Sequence, residues 1–203
     1  MFKADGAHAV PLLICLPQEG YMENIKKKKN KLKIDVFSLI TVIIIAVAIV
    51  LMVVGMSINW AKSVNYYDIG SDNRIISYSF FNILVRAGRG IPAEVGSAVG
   101  QLGAYGFLAL VLAAAEIVFI ILCDKFKLKL YKIILAVLSV LCVVFSVLVI
   151  IATNSFCDVA SDNYGVVSAF GNYGSYSDEA GMWLAAVSGM VSGITGAFVS
   201  ANI

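Results

Sequence analysis

The chain has 203 residues, 60% of them hydrophobic and only 14% charged, with a formal net charge of +2. Its mean hydropathy of +0.90 excludes a water-soluble globular domain. Four stretches each supply the roughly 20 apolar residues that cross a hydrocarbon layer about 30 Å thick, so the sequence predicts an all-α membrane protein. The four transmembrane helices are expected in an antiparallel bundle, since a lipid-exposed backbone must satisfy its own hydrogen bonds.

Residues 1–35 read as a basic tail. The apolar piece Ala9 to Leu16 is too short and too interrupted by proline for a span or a signal sequence. Ile14 stands where a lipidation motif ending at Cys15 needs a small residue. Met22 opens MENIKKKKNK, which reads like a natural start, so residues 1–21 are expected to be an upstream extension without a structural role. Lys26, Lys27, Lys28, Lys29, Lys31 and Lys33 then form a basic cluster just before the first span. Such a block is a topology signal that also favours anionic headgroups at the membrane surface. Nucleic acid is not expected as a partner, because no second basic patch or interleaved aromatic platform accompanies the run.

The membrane domain is expected over 36–203, with spans at about 36–58, 102–123, 131–152 and 181–201 and outer loops at 59–101 and 153–180. The link between the second and third spans holds Lys125, Lys127, Lys129 and Lys132, whereas the loop after the third span holds Asp158, Asp162, Asp178 and Glu179 and no basic residue. Lysine-rich flanks stay inside, which predicts N-terminus and C-terminus inside and both long loops outside. Trp60, Trp183 and Tyr131 are expected to anchor span ends at the lipid–water boundary.

Chemistry is sparse. The single histidine, His8, lies in the doubtful extension, which disfavours histidine-dependent membrane hydrolases and metal enzymes. Cys15, Cys123, Cys142 and Cys157 form no C-x-x-C pair, and Cys157, alone on the outer side, is expected to be a free thiol. No catalytic residue, metal site or cofactor is assigned. The excess of lysine over arginine, with abundant Ile and Asn, fits a bacterial protein of an AT-rich genome.

Glu116 is the one acid inside a span, and an intramembrane acid is a functional hypothesis by default. About 10 Å from the inner end at 1.5 Å per residue, it shares its depth with Thr41, Ser139 and Thr195, and these four are expected to form a polar layer. Span four repeats small residues at Gly181, Ala185, Gly189, Gly193 and Ala197, with Ser188, Ser192, Gly196 and Ser200 beside them. Such faces allow close helix approach in lipid, with a partner either in the same chain or in another. Ser139, Cys142 and Ser146 give span three a weakly polar edge that is expected to face the bundle interior.

In the first outer loop, Ile75 to Val85 reads as a strand or a short interfacial helix. In the second, turn-rich segments between Asp162 and Tyr176 suggest a hairpin. Four spans with a larger first outer loop follow the general plan of claudin-like tetraspan proteins. The glycine-leucine-tryptophan segment and two cysteines that mark that first loop are missing here, so no family is assigned. The functional expectation is a multi-pass protein of the cell membrane, not an enzyme. It is expected to act as an interaction scaffold or accessory subunit through its small-residue helix face and apolar outer loop, with a second copy or another membrane protein as partner. The alternative is a small channel or proton- or cation-coupled transporter using Glu116.

Overall fold

The computed structural model describes residues 35–65, 75–86, 93–163 and 174–202. The extension at 1–21 and the cluster from Lys26 to Lys33 lie outside the described residues. In chain order the elements are α1 (Val36–Ser57), β1 (Asn59–Asn65), β2 (Ile75–Ser79), α2 (Phe80–Arg86), α3 (Ala93–Phe126), α4 (Lys129–Asp162), β3 (Gly174–Asp178) and α5 (Ala180–Asn202). The protein is mostly helical, and α1, α3, α4 and α5 are each long and apolar enough to cross a membrane. That makes it a candidate multi-pass membrane protein.

The four long helices form a ring in the order α1, α3, α4, α5, with neighbours antiparallel and the broadest contacts between α3 and α4, α4 and α5, and α1 and α5. A tight turn joins α3 to α4. Lys127 sits there at φ 51°, and its N–H closes α3 on the Cys123 carbonyl at 2.9 Å. This left-handed residue after the last turn is a common way to end a helix.

Helices α3 and α4 are 34 residues each, about 51 Å long at 1.5 Å per residue, and so outrun the expected spans. Their exposed faces show where an apolar belt ends. On α3 the exposed side chains change from Glu94, Ser97 and Gln101 to Phe107, Leu108 and Val111. On α4 they change from Val144, Val147 and Ile151 to Asn154, Ser155 and Asp158. The stretches free of exposed charged residues, 107–123 and 133–151, are about 26 and 29 Å long at that rise, close to the thickness of a hydrocarbon layer. About four further turns of α3 (93–106) and three of α4 (152–162) therefore stand beyond the belt.

At that end sits the main departure from an all-α fold, a three-stranded antiparallel sheet in the order β2-β1-β3. Its central strand follows α1 directly, and the register shifts between Asn59 and Ala61, leaving Trp60 as the extra residue. A bulge bends a strand and re-aims a side chain. The Trp60 ring is turned down into the bundle, where it is fully enclosed. Its Nε1–H donates to Thr153 Oγ1 at 3.1 Å, and it packs on Phe80 with ring centroids 4.9 Å apart. Trp60 is thus a core residue joining sheet to bundle rather than a boundary anchor. Trp183, by contrast, is exposed, with Nε1–H donating to Asp178 Oδ2 at 2.6 Å.

Ile75 to Val85 takes both of the forms expected for it. Its first half is β2, and the remainder is α2, which buries Phe80 and Ile83 while leaving Phe81 and Val85 exposed. The hairpin expected between Asp162 and Tyr176 falls largely on residues 164–173, which lie outside the described residues. Helix α4 runs on to Asp162, and β3 pairs with β1 from the other side of the chain. The Glu179 N–H donates to the Trp60 carbonyl at 2.9 Å, and Lys62 Nζ meets Glu179 Oε1 at 3.2 Å.

Candidate functional site

Helix α5 determines how closely the bundle packs, and its small residues serve two different neighbours. Toward α1, a Cβ added to Gly55 would lie 2.7 Å from both the Ala185 nitrogen and the Gly181 oxygen. Toward α4, a Cβ on Gly193 would lie 2.6 Å from the Ser139 carbonyl oxygen, and one on Gly189 would collide with Ser146 Oγ. Gly181, Ala185, Gly189 and Gly193 are all buried, and Ala197 is half-buried. This face is filled from within the chain, so it does not offer the free surface that a partner would need.

Close approach on that side brings three polar side chains together. Glu116 of α3 is 0% exposed, and its Oε2 accepts the Ser192 hydroxyl of α5 at 2.7 Å. Ser139 of α4 lies against the same carboxyl, and Gly196 of α5 forms the wall beside both. A Cβ there would collide with Ser139 Oγ and come within 3.1 Å of Glu116 Oε1. Ser139 donates its own hydrogen to the Leu135 carbonyl at 2.8 Å. Glu116 Oε1 has no hydrogen-bond partner.

Of the four residues expected in this layer, the structure brings Glu116 and Ser139 together. Thr195 donates to the Val191 carbonyl of its own helix at 2.7 Å, and Ser192, three residues earlier, serves Glu116 instead. Thr41 is buried but donates to Phe37 of its own helix at 3.0 Å. Depth along an axis leaves the direction around it open. The signal for Ser192 was the second small stripe, in which Ser192 and Gly196 stand four apart and so share a face.

The polar edge of α4 continues from the acid toward the sheet. The Cys142 thiol points at the carbonyls of Gly189 (3.4 Å) and Ala109 (3.7 Å), and Ser146 donates to the Cys142 carbonyl at 2.8 Å. Ser139, Cys142, Ser146 and Thr153 are all buried. Beyond them lies a small apolar cavity of about 10 Å³ lined by Met52, Met56, Trp60 and Ala185 among others. Among the described residues no three His, Cys, Asp or Glu side chains gather as metal ligands, and Cys123, Cys142 and Cys157 are free and buried.

Ser192 and Glu116 place a hydroxyl beside a carboxyl, but both are wholly enclosed, so the pair meets no substrate in this conformation. What the arrangement does chemically is hold an acid between three helices. Compared with protein-family models and with curated proteins, the sequence matches none.

Proposed function

We propose that the protein is a non-enzymatic multi-pass protein of the cell membrane that acts as an interaction scaffold or accessory subunit. Its termini and the Lys125 to Lys132 turn lie in the cytoplasm, and its contact surface is the outer cap of sheet and α2. The lysines flanking the inner span ends, ten against four basic residues in 59–101 and none in 153–180, support this orientation.

The observation that carries the reading is the contrast between interior and cap. Inside, the small-residue face and the acid are occupied by the chain's own helices. In the cap, Phe81 is 40% exposed and Val85 70% exposed, on a short helix whose Leu84 packs against Gly103. Gly103 lies one turn beyond the apolar belt that begins at Phe107 on α3. Exposed apolar side chains outside the lipid-facing belt favour a protein contact. A channel or coupled transporter would need an aqueous route to Glu116, and the packing of Ser139, Ser192 and Gly196 around the carboxyl gives that reading no support.

The test is photo-crosslinking in native membranes from probes placed at Phe81 and Val85, with Val140 as the lipid-facing control. Discrete protein adducts are expected from the first two positions and none from the third. Lipid adducts alone from all three positions would end the proposal.

A further inference from the structure

Glu116 is isolated from every full charge in the bundle. Helices α1 and α5 carry no Asp, Glu, Lys or Arg, and the other charged residues of α3 and α4 stand near the helix ends: Glu94, Asp124, Lys125, Lys129, Lys132, Asp158 and Asp162. The titratable side chain that faces it is Cys142 of α4, and α1 and α5 present none.

An ionised carboxylate offers about four acceptor positions and donates nothing. Here it would receive one hydrogen, from Ser192, with no cation to balance it. A buried charge in that state is costly, all the more so at membrane depth. The neighbouring hydroxyls already have directions. Ser192 gives its hydrogen to Oε2. Ser139 has given its hydrogen to Leu135, so its oxygen is left with lone pairs only. A hydrogen on Oε1 then matches every group, with Oε1–H directed to Ser139 Oγ and Oε2 accepting from Ser192.

We propose that Glu116, Ser139 and Ser192 form an occluded proton-binding site, in which a proton resident on Glu116 Oε1 ties α3 to α4 and α5. The site takes a proton rather than a metal cation. A Cβ on Gly196 would meet Ser139 Oγ and lie 3.1 Å from Glu116 Oε1, so that side of the carboxyl is closed, and among the described residues no metal-ligating cluster stands beside it. The site is independent of the cap and of any partner bound there.

Infrared spectroscopy of the full-length protein in bilayers at pH 7 tests this directly. The wild type is expected to show the carbonyl stretch of a protonated carboxylic acid, shifted down in D2O and absent from Glu116→Gln. Ser192→Ala, which removes the donor to Oε2, should keep the band and raise its frequency, so the assignment survives if Glu116→Gln folds poorly. Three results would overturn the proposal: no acid band that distinguishes wild type from Glu116→Gln, a band that Ser192→Ala leaves unmoved, or a band that disappears when sodium or lithium replaces potassium.

Discussion

The contact between α1 and α5 makes a quantitative claim about one methyl group. In Gly55→Ala the new Cβ would sit 2.7 Å from backbone atoms of Gly181 and Ala185, short of ordinary contact at 3.4 Å by about 0.7 Å. Backbone atoms of a packed helix cannot swing aside as a side-chain tip can, so the helices must separate. A gap of about 0.5–1 Å forfeits a quarter to a half of the dispersion well of each atom pair along the contact. Overpacking of this kind costs typically about 1–3 kcal/mol, and alanine's better helix propensity returns at most about 1 kcal/mol.

Because the clash is with two backbone atoms, the overpacking cost falls in the upper part of that range, about 2–3 kcal/mol, and the expected net loss for Gly55→Ala is about 1–2 kcal/mol. Gly100 is the control, because a Cβ there meets nothing within 4 Å and it stands on the exposed part of α3 beyond the apolar belt. Gly100→Ala should gain up to about 1 kcal/mol. Reversible unfolding in mixed micelles, followed by circular dichroism against rising denaturing detergent, measures both. A Gly55→Ala protein as stable as wild type, or one more stable than Gly100→Ala, would refute the close-packing account.

Two further substitutions probe the cap and the orientation. Trp60→Phe shrinks a fully enclosed ring beside a cavity and removes the donor to Thr153, and should cost about 2–3 kcal/mol. It should also speed amide exchange in β1 and β3 while leaving the inner half of α5 unchanged; equal exchange in both proteins would mean that the indole does not fix the sheet. For orientation, a protein with Cys15 replaced by serine should resist a membrane-impermeant maleimide applied to intact cells, because Cys157 is buried behind β3. Asn154→Cys in that background should label from outside, and Lys127→Cys only after permeabilisation. The opposite pattern would invert the proposed topology.

The four long helices were legible because each exceeds the length that any other buried element of such composition adopts. Their inward edges were legible where small or weakly polar residues recur every three or four positions, as at Ser139, Cys142 and Ser146. The cap was legible only in part: Ile75 to Val85 read as a strand or short helix, but the sheet did not, because β1 pairs both with its neighbour Ile75–Ser79 and with the distant Gly174–Asp178, and periodicity in one window carries no information about pairing with another. Trp60 shows the same limit at a single residue. A tryptophan at a span end reads as a boundary anchor, and only the bulge opposite Ser79 and Tyr78 turns it inward. The acid site was half legible for a related reason: rise per residue placed Glu116 and Ser139 at one level, but choosing Ser192 over Thr195 needed the rotation of α5 about its axis. That rotation is set by Gly181, Ala185, Gly189 and Gly193, the positions where the backbone can touch its neighbours. The small residues that carry no chemistry thus decide which hydroxyl reaches the buried acid Glu116. Enlarging Gly193 should therefore disturb Glu116 as surely as a change at Ser192 does.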